Sequence, residues 1–226
     1  MKSFIFVGLL CAAIVPARAQ VDSPGRVDTV LPLAASANFR HDVFGNSYTN
    51  ISGTAALYAN LNAINDDRAV LEFPTYQVPP GSMVSSATLR VFVWLGGGVQ
   101  GNVGTFSLYG YSGDGFASMA DYYDQEVLLS TFAERVPPTF GYRSFDVTAF
   151  IQNQNNGESL YSGFLFQARS QDVLYGFGSP GPNDFPWPTL DVEFTPVPEP
   201  GVPVLVLMAA ALSVVLRRFI GVRRHA

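Results

Sequence analysis

The chain has 226 residues, and its charges are distributed unevenly along it. Residues 20–200 contain seven arginines, no lysine and all 18 acidic residues, so this part carries a net charge of −11. A body of that charge repels phosphate-bearing polymers and anionic lipid, which argues against nucleic acid as a partner. At this length we expect one domain with a targeting segment at each end.

The first 19 residues have the organisation of a secretory signal peptide. Lys2 provides a positive start, Phe4–Val15 is an apolar run, and Ala17-Arg18-Ala19 offers the small residues that a signal peptidase reads. The run is too short for a retained membrane anchor, so we expect cleavage between Ala19 and Gln20. Cys11, the only cysteine, leaves with this segment. The mature chain then has no disulfide, no Cys-ligated metal and no Cys nucleophile.

From residue 20 onward the sequence is typical of strands separated by Gly/Pro-rich turns. Ser144–Ala149 and Thr189–Phe194 alternate polar and apolar residues, which places one face in a core and the other in water. Thr88–Leu95 alternates as well, but its second face carries Arg90, Phe92 and Trp94, so we expect that face to be partly covered. Further strands are predicted at Ala55–Asn60, Ala69–Phe73, Thr105–Tyr111, Gly163–Arg169 and Val173–Phe177. No helical period is sustained. The prediction is an all-β protein, an antiparallel jelly-roll-like β-sandwich.

The segment Tyr111–Asp124, YSGDGFASMADYYD, offers the only candidate metal ligands. Asp114-Gly115, followed by Ser118 and Asp121, resembles the second half of an EF-hand-like calcium loop, with Asp114 and Asp121 as ligands. The first half does not match, because Gly110 and Ser112 stand where acidic ligands belong. A simple acidic turn is the alternative, and no cofactor other than calcium is predicted. The following stretch, Asp121–Arg135, suits either one helix or a strand with a loop.

Three aromatic residues are candidates for stacking on a sugar ring. Tyr109 and Tyr111 alternate with Phe106 and Leu108, so they face outward or towards a covering loop. Trp187 lies in the Pro-rich sequence DFPWP, where its ring either meets a glycan or closes the end of the sandwich.

No catalytic residue is predicted. His41 is the only histidine in residues 20–200, and no nucleophile motif accompanies it, so it is interpreted as a solvated loop residue. A pair of carboxylates able to hydrolyse glycosides is the remaining enzymatic possibility.

The chain closes with a Pro-rich linker, an uncharged run and a basic tail. We divide it into a linker at 196–200, a transmembrane helix at 201–219 and a cytoplasmic tail at 220–226, after a domain at 20–195. The uncharged stretch Pro200–Leu216 would span about 25 Å as a helix, against about 30 Å for a hydrocarbon core. The arginines that follow orient the tail to the cytoplasm and the domain to the outside. A membrane anchor of this length is marginal, which is typical of a protein that is anchored only transiently in the inner membrane.

The ending resembles the PEP-CTERM sorting signal of exported proteins in exopolysaccharide-producing Gram-negative bacteria. The resemblance consists of Pro198-Glu199-Pro200, the apolar run and an arginine cluster that includes Arg217 and Arg218, in that order. It implies recognition by an exosortase, a membrane enzyme resembling a cysteine transpeptidase, and cleavage near the motif.

The body resembles the DNRLRE family of extracellular β-sandwich domains, which are related to carbohydrate-binding modules. The resemblance lies in RAVLEFPTYQVPPGSMVSSATLRVFV (Arg68–Val93), RSFDVTAFIQ (Arg143–Gln152), GFLFQA (Gly163–Ala168) and PTLDVEF (Pro188–Phe194), in the family's order.

Together these features predict an exported protein that exosortase processes and that then resides at the cell surface or in the extracellular matrix. The leading hypothesis is a non-enzymatic structural or adhesive role associated with exopolysaccharide. The alternative is a carbohydrate-binding module that stacks sugars on Tyr109, Tyr111 or Trp187, and an enzyme acting on polysaccharide ranks third.

Overall fold

The computed structural model describes residues 26–50, 56–98, 103–135, 138–178 and 186–197. These residues form twelve strands, one α-helix and one short 3-10 helix at Thr75–Gln77. The elements are β1 Val27–Leu31, β2 Ala35–Asp42, β3 Ser47–Asn50, β4 Ala56–Leu61, β5 Asn65–Phe73, β6 Met83–Gly98, β7 Val103–Gly113, β8 Val127–Arg135, β9 Gly141–Asp146, α1 Thr148–Asn156, β10 Tyr161–Ala168, β11 Val173–Gly178 and β12 Thr189–Thr195.

All the strand pairs are antiparallel, and they connect into one hydrogen-bonded path. The path runs β1-β12-β6-β11-β4-β5-β10-β7-β8, with β9 on β6, and with β2 on β5 followed by β3. We call β1, β12, β6 and β9 the first layer, and β3, β2, β5, β10, β7 and β8 the second layer. Strands β11 and β4 link the two.

The inward faces of the two layers meet in a single hydrophobic core. Leu89, Val91 and Val93 of β6 belong to the same buried cluster as Ala69, Leu71 and Phe73 of β5. Ring contacts cross between the layers, for example Phe145 to Phe166, whose centroids are 5.7 Å apart. Burial of these apolar faces is the main stabilising contribution of such a fold. The prediction of an all-β protein with antiparallel pairing is confirmed.

The strand predicted at Ser144–Ala149 is wrong in its second half. Strand β9 ends at Asp146 and α1 begins at Thr148. The Asp146 carboxylate accepts hydrogen bonds from the Thr148 backbone N–H (3.0 Å) and hydroxyl (2.6 Å), which favours a helix start. Phe150 and Ile151 then anchor the helix in the core.

The ambiguous stretch Asp121–Arg135 is a turn at 119–123 followed by strand β8. The sequence did not indicate β1, β2 and β3, which precede the first predicted strand. On β2, the buried residues are Ala37, Asn38 and Phe39, a mixture too polar to be read as a core strand.

The predicted signal peptide, its cleavage site at Ala19 and Gln20, the Pro198-Glu199-Pro200 motif, the helix at 201–219 and the tail at 220–226 lie outside the described residues. Within the described ranges, no helix has the length and apolar character needed to cross a membrane.

Candidate functional site

The segment Asp114–Asp124, which we call the covering loop, lies over the outward face of the second layer. Its first anchor is Glu72 of β5, whose carboxylate accepts the Gly115 N–H (2.6 Å) and the Tyr111 hydroxyl (3.1 Å). Glu72 is fully buried, and that burial raises the pKa of its carboxyl above the ordinary range. A side chain at residue 113 would not fit, because a Cβ built at Gly113 would lie 2.8 Å from the Glu72 carboxyl carbon.

The second anchor holds the far end of the covering loop at Tyr122. The Tyr122 hydroxyl donates to Asp66 (3.0 Å), and Arg68 donates to the Tyr122 carbonyl (2.7 Å). The Arg68 guanidinium also lies 4.1 Å from the centre of the Tyr122 ring. Asp66, Arg68 and Glu72 are spaced two residues or a multiple of two apart along β5, so all three project from the same outward face.

Tyr109 and Tyr111 lie beneath the covering loop, with exposures of 8 % and 0 %. They form a second buried cluster with Phe39, Val70 and Leu165, against which Ala117 and Met119 of the loop pack. The sequence predicted that these two tyrosines face outward or towards a covering loop, and the structure has both of them beneath the loop. Neither ring is available to stack on a ligand in this structure.

Each predicted calcium ligand uses a carboxylate oxygen within its own loop. Asp114 accepts the Phe116 N–H (2.8 Å), and Asp121 accepts the Ser118 N–H (2.5 Å). Burial raises the pKa of Asp121, although its bonds to Ser118 act in the opposite direction. In the part of the chain that the structure describes, no group of three or more His, Cys, Asp or Glu side chains is arranged to hold a metal ion. Calcium binding stays a prediction.

His41 lies in strand β2 rather than in a loop, which corrects the sequence-based interpretation. Its ring stacks on Tyr48 of β3 with centroids 4.3 Å apart, and its Nε2 lies 3.3 Å from Asn46 Oδ1. Tyr123 of the covering loop joins them, its ring centroid 5.5 Å from that of Tyr48. A hydrogen bond with Tyr48 raises the pKa of Tyr123. We call His41, Tyr48 and Tyr123 the hairpin surface, after the β2–β3 hairpin that carries two of them.

The outward face of the first layer carries a second group of aromatic and charged side chains. Phe92 of β6 pairs directly with Tyr142 of β9, and the two rings meet edge to face at 5.3 Å. Arg90 lies 4.8 Å from the centre of the Tyr142 ring and 3.5 Å from a carboxylate oxygen of Asp191 on β12. Arg90 therefore joins three strands, and with Phe92, Tyr142 and Asp191 it forms what we call the β6 surface.

Trp187 lies just before strand β12. It precedes Thr189, the β12 residue that pairs with Arg90, by two positions. Its side chain is 52 % exposed, so it does not fill the end of the sandwich. Of the three aromatic residues selected from the sequence, Trp187 alone presents its ring to solvent.

An open groove of about 370 Å³ lies between the start of β8 and helix α1. Val127 and Leu128 form its apolar side, and Asn153 and Gln154 contribute amides. It contains neither the exposed rings nor the ion pair of the β6 surface, which makes it the weaker candidate for recognition of a sugar.

The sequence alone did not predict that the residues of the hairpin surface, or those of the β6 surface, lie next to one another. Tyr142 and Phe92 are 50 positions apart, and only the register of β9 on β6 makes them neighbours. The alternation of Arg90, Phe92 and Trp94 was the available signal. No protein-family model matches the chain, and the search of curated proteins found no match.

Proposed function

We propose that the protein is an exported component of the cell surface or extracellular matrix, with a non-enzymatic structural or adhesive role associated with exopolysaccharide. In this proposal the two layers form a jelly-roll-like sandwich of the DNRLRE type, and exosortase removes the C-terminal segment after export. The observation that carries the proposal is the order of features at the end of the chain. Strand β12 ends at Thr195, and the Pro198-Glu199-Pro200 motif follows three residues later.

The pairing of the terminal strands supports cleavage at both ends of the exported chain. Val27 at the start of β1 pairs with Phe194 near the end of β12, and Arg26 forms an ion pair with Glu193. The chain therefore enters and leaves the domain at the same end. If the segments before β1 and after β12 attach the domain to a membrane, both attachments lie at one end of the domain, and the rest of the domain extends away from the membrane. Cleavage at Gln20 and near Pro200 would then not require the sandwich to open.

The test is intact-mass and peptide mass spectrometry of the protein released by an exopolysaccharide-producing Gram-negative host. We expect a chain that begins at Gln20 and lacks the residues beyond about Pro200. A Glu199→Ala variant should keep its C-terminal segment and remain with the inner membrane. The matched control is Glu158→Ala, because Glu158 is an exposed glutamate after α1 and lies outside the motif. Released protein that retains the whole tail would contradict the proposal.

A second candidate function, carbohydrate binding, is favoured by the β6 surface. Exposed aromatic rings stack on the apolar face of a sugar, and a neighbouring ion pair can bond its hydroxyls. Tyr142 is 49 % exposed and has both Arg90 and Phe92 beside it. Affinity electrophoresis in gels containing polysaccharide tests this function. Trp187→Ala should reduce retardation, and Tyr76→Ala, a half-exposed tyrosine elsewhere, should not. Unchanged retardation would remove Trp187 from the site.

A further inference from the structure

We propose that the domain has two glycan-binding surfaces on opposite layers, the hairpin surface and the β6 surface, and that it bridges two polysaccharide chains. This inference rests on the second candidate function. It adds a second site and a physical consequence, namely cross-linking of the polymer.

The hairpin surface has the composition of a sugar-binding platform. Tyr123 is 57 % exposed and Tyr48 is 38 % exposed, and their rings are inclined at 57° to each other. Their hydroxyls, together with the His41 and Asn46 side chains, offer donors and acceptors at the edge of the rings. Exposed rings with hydrogen-bonding groups at their rim match a pyranose, which has an apolar face and a hydroxyl-bearing edge.

The platform is held in place before any ligand arrives. Tyr122 lies beneath it, with its ring 5.5 Å from Tyr48 and 5.1 Å from Tyr123 in edge-to-face contacts. Tyr122 is held in turn by the bond from its hydroxyl to Asp66 and by the bond from Arg68 to its carbonyl. Preorganisation of this kind lowers the entropic cost of ordering side chains on binding.

The two surfaces point away from each other. His41 pairs with Asp66 across β2 and β5, so it shares the outward face of the second layer with Asp66 and Arg68. On the first layer Leu89 and Val91 face the common core, so Arg90 and Phe92 face outward. A glycan on one surface therefore leaves the other surface free to bind a second chain.

The charge of the body limits the class of polysaccharide. With a net charge of −11 over residues 20–200, the domain repels polyanions. The β6 surface adds one arginine and one aspartate, which cancel. The charge therefore excludes a uronate-rich or sulfated polymer, and the ligand class that fits exposed rings with hydroxyl-binding groups at their edge is a neutral polysaccharide.

The experiment measures bridging separately from binding. Two populations of beads, labelled in different colours, are coated with the same polysaccharide, and mixed aggregates are counted as purified protein is added. The probes are hydroxyethylcellulose as the neutral polymer and alginate as the anionic one. We expect mixed aggregates on hydroxyethylcellulose and none on alginate. Aggregation should rise and then fall as protein increases, because excess protein occupies each site singly.

Variants of each surface test whether both are needed. Tyr123→Ala in the hairpin surface and Tyr142→Ala in the β6 surface should each leave binding to the beads detectable, through the remaining surface, and reduce mixed aggregation at least about tenfold. The combined variant should not bind the beads. Tyr123→Arg, which blocks the hairpin surface without removing bulk, should reproduce the effect of the alanine. Tyr76→Ala is the control, and the melting temperature of each variant establishes that it is folded.

Three outcomes overturn the inference, and they can be told apart. Wild-type protein that binds the beads without bridging them shows a single glycan surface, and carbohydrate binding itself survives. If bridging persists in Tyr123→Ala or in Tyr142→Ala, the bridging results from self-association of the protein. Absence of binding to every probe overturns the carbohydrate-binding function together with this inference.

Discussion

Gly163 of β10 lies directly opposite Tyr111 of β7, and the Tyr111 ring fills the space that a side chain at residue 163 would need. A Cβ built at Gly163 would lie 2.1 Å from the Tyr111 Cζ. The same ring donates its hydroxyl to Glu72, which anchors the covering loop. The loop therefore depends on the absence of a side chain on β10, the strand that pairs with the β7 strand leading into the loop.

Gly163→Ala should destabilise the domain by about 1–3 kcal/mol, because Tyr111 must leave its position or the backbone must shift. Urea unfolding followed by circular dichroism measures this change. Gly97→Ala is the matched control, since a Cβ at Gly97 would meet Leu174 at an ordinary 3.5 Å. Equal stability of the two variants would contradict the role assigned to Tyr111.

Glu72→Gln should change how stability depends on pH. The pKa of Glu72 is raised above its ordinary value of 4.5, first by burial and then by the nearby Asp121 and Asp114 charges, against the opposing bonds from Gly115 and Tyr111. The fold therefore favours the protonated carboxyl. Its stabilising contribution is complete below the unfolded pKa and is lost as pH rises through the folded pKa.

We therefore expect the free energy of unfolding of the wild type to fall relative to that of the glutamine variant as pH rises from about 4 to about 7. A tenfold difference in proton affinity between the folded and unfolded chain corresponds to about 1.4 kcal/mol. Urea titrations at several pH values measure the difference. Glu158→Gln, at an exposed position, is measured in the same titrations as the control. If the difference in the free energy of unfolding between the wild type and Glu72→Gln does not change with pH, the burial of Glu72 does not couple folding to proton binding.

Asp146→Ala should give the opposite dependence. Hydrogen bonds from the Thr148 hydroxyl and N–H lower the pKa of Asp146, so the charged form stabilises the start of α1. That contribution is present above the unfolded pKa and is lost as pH falls through the folded one. Because Asp146 is exposed and precedes the N-cap residue Val147, the variant should lose only about 0.5 kcal/mol near neutral pH, and less as the pH falls. Asp146→Asn, which retains an acceptor, should recover part of the loss.

The calcium prediction for Asp114 and Asp121 is checked by thermal melts with and without a chelator. A cation that binds only the folded loop raises the melting temperature by mass action. The prediction therefore requires a lower melting temperature in the chelator, and Asp121→Asn should abolish the difference. Identical melts of the wild-type protein would remove calcium from this loop.

The period of two was enough to locate β6 and β12, because their inward residues are almost all Leu, Val or Phe. It was not enough for β2, where Asn38 is buried beside Phe39, or for α1, whose amide-rich sequence has only two apolar anchors in the core. The outward direction of Tyr111 follows from alternation alone. Its burial does not, because that depends on Gly115 bonding to Glu72, which is 43 positions away.

The candidate surfaces were beyond sequence reasoning for a similar cause. Their side chains come from different strands, and the register that joins Tyr142 to Phe92, or Tyr48 to His41, is set by packing of the whole sheet. The sequence predicted that the second face of Thr88–Leu95 would be partly covered. The partial exposure of Arg90 and Phe92 agrees with that prediction.

The pairing of Val27 with Phe194 also determines how the domain responds to mechanical load. Tension applied between the two ends of the chain would separate β1 from β12 one hydrogen bond at a time, as a zipper opens. Tension that enters at the end of β12 and leaves through the β6 surface would instead shear the β12–β6 ladder, whose seven paired residues resist together. The domain should therefore resist less tension between Val27 and Phe194 than between Thr195 and a load applied to the β6 surface.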